Sequence, residues 1–282
     1  MPLLLFDLDN TLIDRDRAFR AWTADFIAER RLPESELDWL ATLDGGGYVT
    51  RQVFFRAALT RYGVTGRARE EQMAELTAQY REAMVERVCF PGENREALLA
   101  ARRAGWTLGV VTNGDTAHQS AKIAAAGIDE LVEAYVVSEE AGHEKPDPEI
   151  FRIAALRCGL DDEELSERLA DGTAWMVGDH APADIAGARV AGLDSVWLRH
   201  RRPWPQVTFH PTLMADALPE AVRLVLERQP QPQSRRPLRP GTPAQPSERD
   251  HQRERPTGTN PSPRYSGSPG AVAVNVATRP AS

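Results

Sequence analysis

Four apolar residues near the start of the chain, positions 3–6 (Leu-Leu-Leu-Phe), run directly into the alternating acids Asp7 and Asp9. A short apolar run bounded by turn-forming residues predicts a strand that is buried on both faces, as in a parallel sheet. The two carboxylates then lie where the strand becomes a loop. In open α/β sheets ligands bind at the carboxyl ends of the strands, so this position favours a functional site, with a helix cap or Asx turn as the alternative.

The chain after residue 90 repeats a strand-then-helix pattern that extends this sheet. Apolar strands are predicted at 106–111, 134–137, 174–177 and 195–198, and helices at 93–104, 116–126, 148–157 and 183–191. Repeated βα units form parallel sheets with helices on both faces. We therefore predict an α/β fold with a doubly wound parallel sheet, whose core domain comprises residues 1–14 and 90–228.

The segment between the first two predicted strands, residues 15–89, has helical spacing throughout. Glycine-rich breaks at 45–47 and 63–66 divide it into successive helices. Its large aromatic residues are predicted to form the core of a small bundle rather than to contact a substrate; they are Trp22, Trp39, Phe54, Phe55 and Tyr80. We predict an all-helical cap domain inserted into the core domain.

The last segment, residues 229–282, contains eleven prolines and almost no large apolar residues. Such a composition buries too little apolar surface to offset the entropy of ordering the chain. We predict a disordered tail rich in proline and arginine. This segment has eight arginines and three acids, a net charge of +5. Because the whole chain has a net charge of −7, the remainder carries −12. An acidic folded part argues against binding to a nucleic acid polymer, which needs a basic face.

Other function classes are disfavoured by composition. Cys89 and Cys158 are too few and too far apart for a disulfide framework or a zinc site. The apolar start lacks a basic segment and is ended by Asp7, and no stretch approaches the ~18 apolar residues of a membrane span. We expect a cytoplasmic protein without a membrane association, and the sequence indicates no protein partner.

Lysine is rare in this chain. Of 34 basic side chains only Lys122 and Lys145 are lysine, a bias typical of a GC-rich genome. Each lysine that remains is therefore more informative than usual about a chemical requirement.

Three further motifs lie at predicted strand ends or turns. Thr112 and Asn113 close an apolar strand before a helix, where a side-chain donor and free backbone N–H groups suit a phosphate. Lys145 lies in a proline-rich turn. Asp179 follows a strand, and Asp184 lies in the first turn of the next predicted helix. Taken singly, each has an ordinary alternative as a helix cap or a solvated loop residue.

Together, these motifs resemble those of the haloacid dehalogenase (HAD) superfamily, whose members form an aspartyl-phosphate. The motifs stand in order as D-x-D-x-T at 7–11, Thr112, Lys145 and G-D-x-x-x-x-D at 178–184. The helical insert resembles the cap of this superfamily's first cap class. The short segment between Asn113 and Lys145 leaves no room for the other class.

The resemblance implies a role for each motif residue. Asp7 would be the nucleophile, and Asp9 would be the general acid for the leaving oxygen and then the base for water. Thr112, the backbone of Asn113 and Lys145 would bind the transferring phosphoryl group.

The resemblance also implies a metal site. Mg²⁺ would be held by Asp7, the backbone carbonyl of Asp9 and Asp179, an oxygen set that suits a hard cation. Asp184 would orient the metal's water molecules or Lys145 from outside that set. His143 and His180 flank the motifs and are expected to pack or to form hydrogen bonds only, because the mechanism needs no histidine.

The expected function is a Mg²⁺-dependent phosphatase acting on a small phosphorylated metabolite. Dehalogenases of the superfamily lack the second aspartate of the first motif, so Asp9 favours phosphoryl transfer. A phosphomutase with the same intermediate is the second interpretation, and a non-enzymatic phospho-switch is the third. Sugar phosphates, phosphoglycolate-like acids and nucleoside monophosphates all remain open as substrates.

Overall fold

The computed structural model describes residues 1–206 and 208–228, which contain one six-stranded sheet. Every neighbouring pair of strands is parallel, and the strand order is β3-β2-β1-β4-β5-β6. The strands are β1 (Leu3–Phe6), β2 (Thr107–Thr112), β3 (Ala134–Val137), β4 (Ala174–Gly178), β5 (Asp194–Leu198) and β6 (Leu213–Ala215). The predicted α/β class with a doubly wound parallel sheet is confirmed.

Eleven α-helices connect or flank these strands in the described residues. They are α1 (Arg15–Glu29), α2 (Glu36–Asp44), α3 (Arg51–Arg61), α4 (Gly66–Glu86), α5 (Gly92–Arg103), α6 (Thr116–Ala126), α7 (Ser138–Ala141), α8 (Pro148–Arg157), α9 (Asp162–Ala170), α10 (Ala186–Ala191) and α11 (Leu218–Glu227). A 3₁₀ turn covers Gly45–Gly47, and a π turn covers Ala181–Ile185. None of the described helices has the length and apolar character that crossing a membrane requires.

Strand β1 lies in the middle of the sheet, between β2 and β4. Its side chains alternate between two apolar layers: Leu4 and Phe6 pack in one, Leu3 and Leu5 in the other, and all four are fully buried. The chain runs outward from β1 through β2 and β3, then returns to β4 on the other side. The strand order therefore reverses at β1 and β4, the switch point at which open α/β sheets bind ligands.

Helices α1–α4, here called the helical insert, enclose a separate apolar cluster. Trp22 lies at its centre and contacts the rings of Phe55 and Tyr80 edge-on. Trp39 is half-buried against the same cluster. The cluster agrees with the interpretation of these aromatic residues as packing residues, while the domain boundaries at 1–14, 15–89 and 90–228 stay a prediction.

The structure differs from the predicted elements at several points. The sequence does not predict strand β6 or helices α7, α9 and α11. Strand β2 begins one residue late because the backbone N–H of Trp106 donates back to the carbonyl of Ala101 and closes helix α5. The helix predicted over 183–191 begins as the π turn before α10. The predicted disordered tail, 229–282, lies outside the described residues.

Candidate active site

Three adjacent strands bring polar side chains to one edge of the sheet. Asp7 follows β1, Thr112 ends β2, and Asp179 follows β4. Because these parallel strands are neighbours, their carboxyl ends meet. All three side chains are buried. Asp184 from the π turn and Lys145 from the loop before α8 complete a buried polar cluster.

The ammonium group of Lys145 lies at the centre of this cluster. Its Nζ donates to Oδ1 of Asp7 at 2.6 Å, to Oδ1 of Asp184 at 2.8 Å and to the carbonyl of Val111 at 2.7 Å. The backbone around the lysine is fixed by Asn113. The Asn113 side chain accepts from the N–H of Lys145 at 2.8 Å and donates to its carbonyl at 2.9 Å. Asn113 therefore uses its side chain to hold the backbone of Lys145.

Asp184 is held rigidly beside the lysine. Its Oδ2 accepts from the backbone N–H of His180 at 2.9 Å, while Oδ1 accepts from Lys145. A Cβ at Gly178 would lie 2.2 Å from Oδ2 of Asp184. Only glycine lets the Asp184 carboxylate approach the backbone this closely.

Three carboxylates converge, and two cationic side chains, Lys145 and Arg202, pair with them. Asp7, Asp179 and Asp184 each offer one oxygen, and these oxygens lie within 4.8 Å of one another. Burial raises the pKa of Asp7 to about 7, although Lys145 acts in the opposite direction. Burial, followed by the charges of Asp7 and Asp184, also holds the pKa of Asp179 well above its usual range. The site therefore favours an additional cation.

Asp179 provides a direct test of whether a metal fits. Its Oδ2 accepts from Nη2 of Arg202 at 3.0 Å, whereas its Oδ1 is buried and has no hydrogen-bond partner among the described residues. A buried carboxylate oxygen without a donor is costly unless something positive approaches it. The cluster could hold a divalent metal ion, because carboxylate oxygens are the ligands that hard divalent cations take.

Asp9 lies outside the carboxylate cluster. Its carboxylate accepts from Nζ of Lys122 at 2.7 and 2.8 Å and from Nε2 of Gln119 at 2.9 Å. Burial would raise the pKa of Asp9, but Lys122, Arg15 and the hydrogen bonds from Lys122 and Gln119 together lower it to about 2. Sequence reasoning missed both partners. The rarity of lysine was the one signal that could have identified Lys122.

The helical insert reaches the site through the turn after α2. The Tyr48 ring stacks on the His180 ring, with centroids 3.5 Å apart and planes 17° apart. Burial and the charges of Asp184 and Asp179 raise the pKa of Tyr48. The other flanking histidine, His143, is half-buried, and its Nδ1 lies 2.8 Å from Oδ2 of Asp147. Neither histidine is hydrogen-bonded to the motif carboxylates through its ring.

A cavity of about 440 Å³ opens beside Asp179. Asn10, Asp14, His200 and Arg202 are among its lining residues. Its volume lies in the range of sites that take small molecules, which is ~300–1,000 Å³.

Comparison with known proteins places this geometry in a family. Residues 1–192 match the family described as haloacid dehalogenase-like hydrolase. Ribulose-1,5-bisphosphate 5-phosphatase from Halopiger xanaduensis is 30% identical over 243 residues, which are 80% of this chain and 92% of that protein. Phosphoserine phosphatase from Thermus thermophilus is 38% identical over 156 residues, which are 54% of this chain and 56% of that protein.

A solved structure supports the same assignment at the level of the fold. The structure of a HAD-hydrolase from Bacillus subtilis bound to magnesium has a TM-score of 0.64 and 24% identity, and the match covers 79% of this chain and 98% of that one. The motifs, the family match and the fold agree. The chain belongs to the haloacid dehalogenase-like hydrolase family and is a hydrolase.

Proposed function

We propose that this chain is a Mg²⁺-dependent phosphatase that hydrolyses a small phosphorylated metabolite through an aspartyl-phosphate on Asp7. One observation carries the proposal: the Asp7 carboxylate lies at the switch point of the sheet, in contact with Lys145 and close to two further carboxylates. An anionic nucleophile can approach a phosphate ester only where positive charge offsets their repulsion.

Two further points support phosphate monoesters as substrates. Asp9 is present, and a second carboxylate next to the nucleophile suits proton transfer to and from oxygen. The relatives reported above are named as phosphatases of ribulose 1,5-bisphosphate and of phosphoserine.

The metal would be held by Asp7, the backbone carbonyl of Asp9 and Asp179. The unpartnered Oδ1 of Asp179 supports this set, and the hydrogen bonds of Asp184 to Lys145 and to the N–H of His180 suit a residue outside it. When bound, Mg²⁺ supplies positive charge that offsets the repulsion between the phosphate and Asp7.

The chain's own residues supply the chemical steps. A carboxylate oxygen of Asp7 attacks phosphorus and the bond from phosphorus to the leaving oxygen breaks. Asp9, in its protonated form, gives that oxygen its proton. Asp9 then takes a proton from water as the water attacks the phosphorus of the aspartyl-phosphate. Inorganic phosphate leaves, and Asp7 is restored. Thr112, the N–H of Asn113 and Lys145 hold the phosphoryl oxygens during both steps.

A metabolite screen tests the proposal. The purified chain is incubated with ribulose 1,5-bisphosphate, phosphoserine, phosphoglycolate, nucleoside monophosphates and p-nitrophenyl phosphate, and released phosphate is measured. We expect Mg²⁺-dependent release from at least one ester, loss of activity with a chelator, and recovery on adding Mg²⁺ back. Phosphate release no greater than that of the Asp7→Asn variant would overturn the proposal. Transfer to a sugar hydroxyl without release would identify a mutase instead.

A further inference from the structure

Both lysines of this chain lie in the candidate active site, and the mechanism above uses only one of them. Lys122 lies on α6, and its Nζ contacts both oxygens of the Asp9 carboxylate at 2.7 and 2.8 Å. The lysine side chain is only 4% exposed, whereas that of Asp9 is 23% exposed. A buried ammonium thus holds the carboxylate that is open to the site.

Gln119 contacts the same carboxylate from one turn earlier on α6. Its Nε2 donates to Oδ2 of Asp9 at 2.9 Å and to Oγ1 of Thr112 at 2.6 Å. Residues three apart on a helix share one face, which places both donors toward Asp9. Gln119 therefore joins Asp9 to the proposed phosphate-binding hydroxyl of Thr112.

The backbone makes room for the Gln119 side chain. Gly114 has a φ of +147°, and a Cβ there would lie 3.1 Å from Cγ of Gln119. Any larger residue at 114 would strain the backbone and press on the glutamine. The loop after β2 is thus shaped around the contact between α6 and Asp9.

Orientation matters for a group that transfers protons in two successive steps. A short acidic side chain at the mouth of a site can adopt several rotamers, and proton transfer requires hydrogen-bond reach of the reacting oxygen. A misplacement of about 1 Å can cost ~10²-fold in rate. Three hydrogen bonds from two buried donors restrict the Asp9 carboxylate to one orientation.

We propose that Lys122, assisted by Gln119, is a positioning residue that fixes the Asp9 carboxylate for its proton transfer from water. The inference rests on the proposed function, because Lys122 acts through Asp9 and the acid–base role of Asp9 is part of that proposal. It differs from the role of Lys145, whose ammonium contacts Asp7 and would contact the phosphoryl group.

A double-mutant cycle tests this role of Lys122, with p-nitrophenyl phosphate as the substrate and Mg²⁺ at saturation. The variants are Lys122→Met, Asp9→Asn and the double variant. We expect Lys122→Met to lower kcat by roughly 10²-fold, the lower end of what a positioned acid–base group contributes. KM and the inhibition constant of inorganic phosphate should stay within about threefold of the parent. In the Asp9→Asn background, the same change should lower kcat by no more than about twofold, because its target is already lost.

Two further variants complete the design. Lys122→Arg should restore kcat to within about tenfold of the parent, since a guanidinium can grip both oxygens of one carboxylate. Arg157→Met is the matched control, because it removes a cation that pairs with Glu140 away from the site, and it should leave kcat unchanged. If Lys122→Met fails to fold, Lys122→Gln takes its place in the cycle, because its amide can still donate a hydrogen bond. The expected loss of roughly tenfold should also disappear in the Asp9→Asn background.

Each contrary outcome has a distinct meaning. If Asp9→Asn itself keeps the parent's kcat, the acid–base assignment in the proposed function fails. If Asp9→Asn has a reduced but measurable kcat, and Lys122→Met lowers kcat as strongly in that background and raises KM, Lys122 binds the substrate and the inference alone is overturned. A variant that melts earlier but keeps the parent's kcat would also overturn it, since Lys122 would then only stabilise the fold.

Discussion

The two acids of the first motif are only two residues apart, yet each has its own lysine and a different environment. The Asp7 carboxylate shares Lys145 with Asp184 and with the carbonyl of Val111. The Asp9 carboxylate has Lys122 to itself, with help from Gln119. One ammonium neutralises several converging oxygens, whereas the other holds a single carboxylate in place.

The opposite pKa shifts of the two acids follow from this difference. At Asp7, burial dominates and raises the pKa to about 7. The charges of Asp184 and Asp9 act in the same direction, and Lys145, which is shared with Asp184, offsets only part of the effect. At Asp9, burial is outweighed by its lysine and the pKa falls to about 2. Lys145 is shared by Asp7 and Asp184, so this part of the site is short of positive charge. Lys122 pairs with Asp9 alone and neutralises that carboxylate.

The largest expected effect belongs to the Asp7 half of the site. Asp7→Asn should lower kcat by roughly 10⁴-fold or more, because an amide cannot form the acyl phosphate. Melting should change little, since Lys145 keeps its contacts with Asp184 and Val111. Steady-state turnover and circular dichroism of the purified variant measure the two quantities. Retained turnover would show that the nucleophile has been misassigned.

Substituting arginine for each lysine compares the two halves directly. Lys145→Arg should lower kcat by roughly 10²-fold or more, because a planar guanidinium cannot replace a compact charge that donates to three separate acceptors. Lys122→Arg should lose less than about tenfold, since it faces one carboxylate. An equal loss of kcat for the two variants under the same conditions would show that the two lysines do not differ in the way proposed.

A smaller effect is expected on the way thermal stability depends on pH. In the metal-free protein the pKa of Asp7 is raised to about 7, and that of Asp179 is also raised. Between about pH 4 and 7 the folded state therefore binds more protons than the unfolded state, so metal-free stability should fall as pH rises. Mg²⁺ competes with those protons. The rise in Tm on adding Mg²⁺ should thus be larger at pH 8 than at pH 5.

Thermal scans with Mg²⁺ or a chelator at the two pH values measure this effect. The Asp179→Asn variant is the control and should reduce the dependence on pH. A rise in Tm on adding Mg²⁺ that is equal or larger at pH 5 would contradict the assignment of Asp7 and Asp179 as metal ligands.

The smallest effect is expected from removing residues 229–282. The contacts described for both lysines lie within residues 7–184. A chain ending at Arg228 should therefore keep kcat within about twofold and Tm within a few degrees, as expected for removing a segment that buries little apolar surface. Activity and thermal scans of the truncated and full chains test this. A large drop in Tm would mean that the removed segment packs on the core.

Several features of the site could be predicted from the sequence because they are local. The apolar run before Asp7 and the glycine before Asp179 mark strand ends, and neighbouring parallel strands bring such ends together. The contacts of Lys122 and Gln119 with Asp9 could not be predicted. Lys122 is 113 positions from Asp9 in the sequence and Gln119 is 110 positions from it, and helix α6, which carries both, contains no recognisable motif. Their donors reach Asp9 only through the packing of α6 on the sheet edge.

The short elements were missed for a related reason. Strand β6 has only three residues and lies at the edge of the sheet, where alternation is too brief to detect. Tyr48 follows three glycines, so its sequence context indicates a turn, and only the fold shows that this turn meets His180.

The residue that carries the phosphoryl group during turnover can be identified chemically, and this directly tests Asp7 as the nucleophile. The chain is mixed with p-nitrophenyl phosphate and Mg²⁺, quenched in acid within one turnover and reduced with borohydride, which converts an aspartyl-phosphate to homoserine. Peptide mass spectrometry then locates the product. Homoserine is expected at position 7 in the substrate-treated sample and is not expected without substrate. Modification at Asp9 or Asp179, or turnover with no modified aspartate, would contradict this assignment.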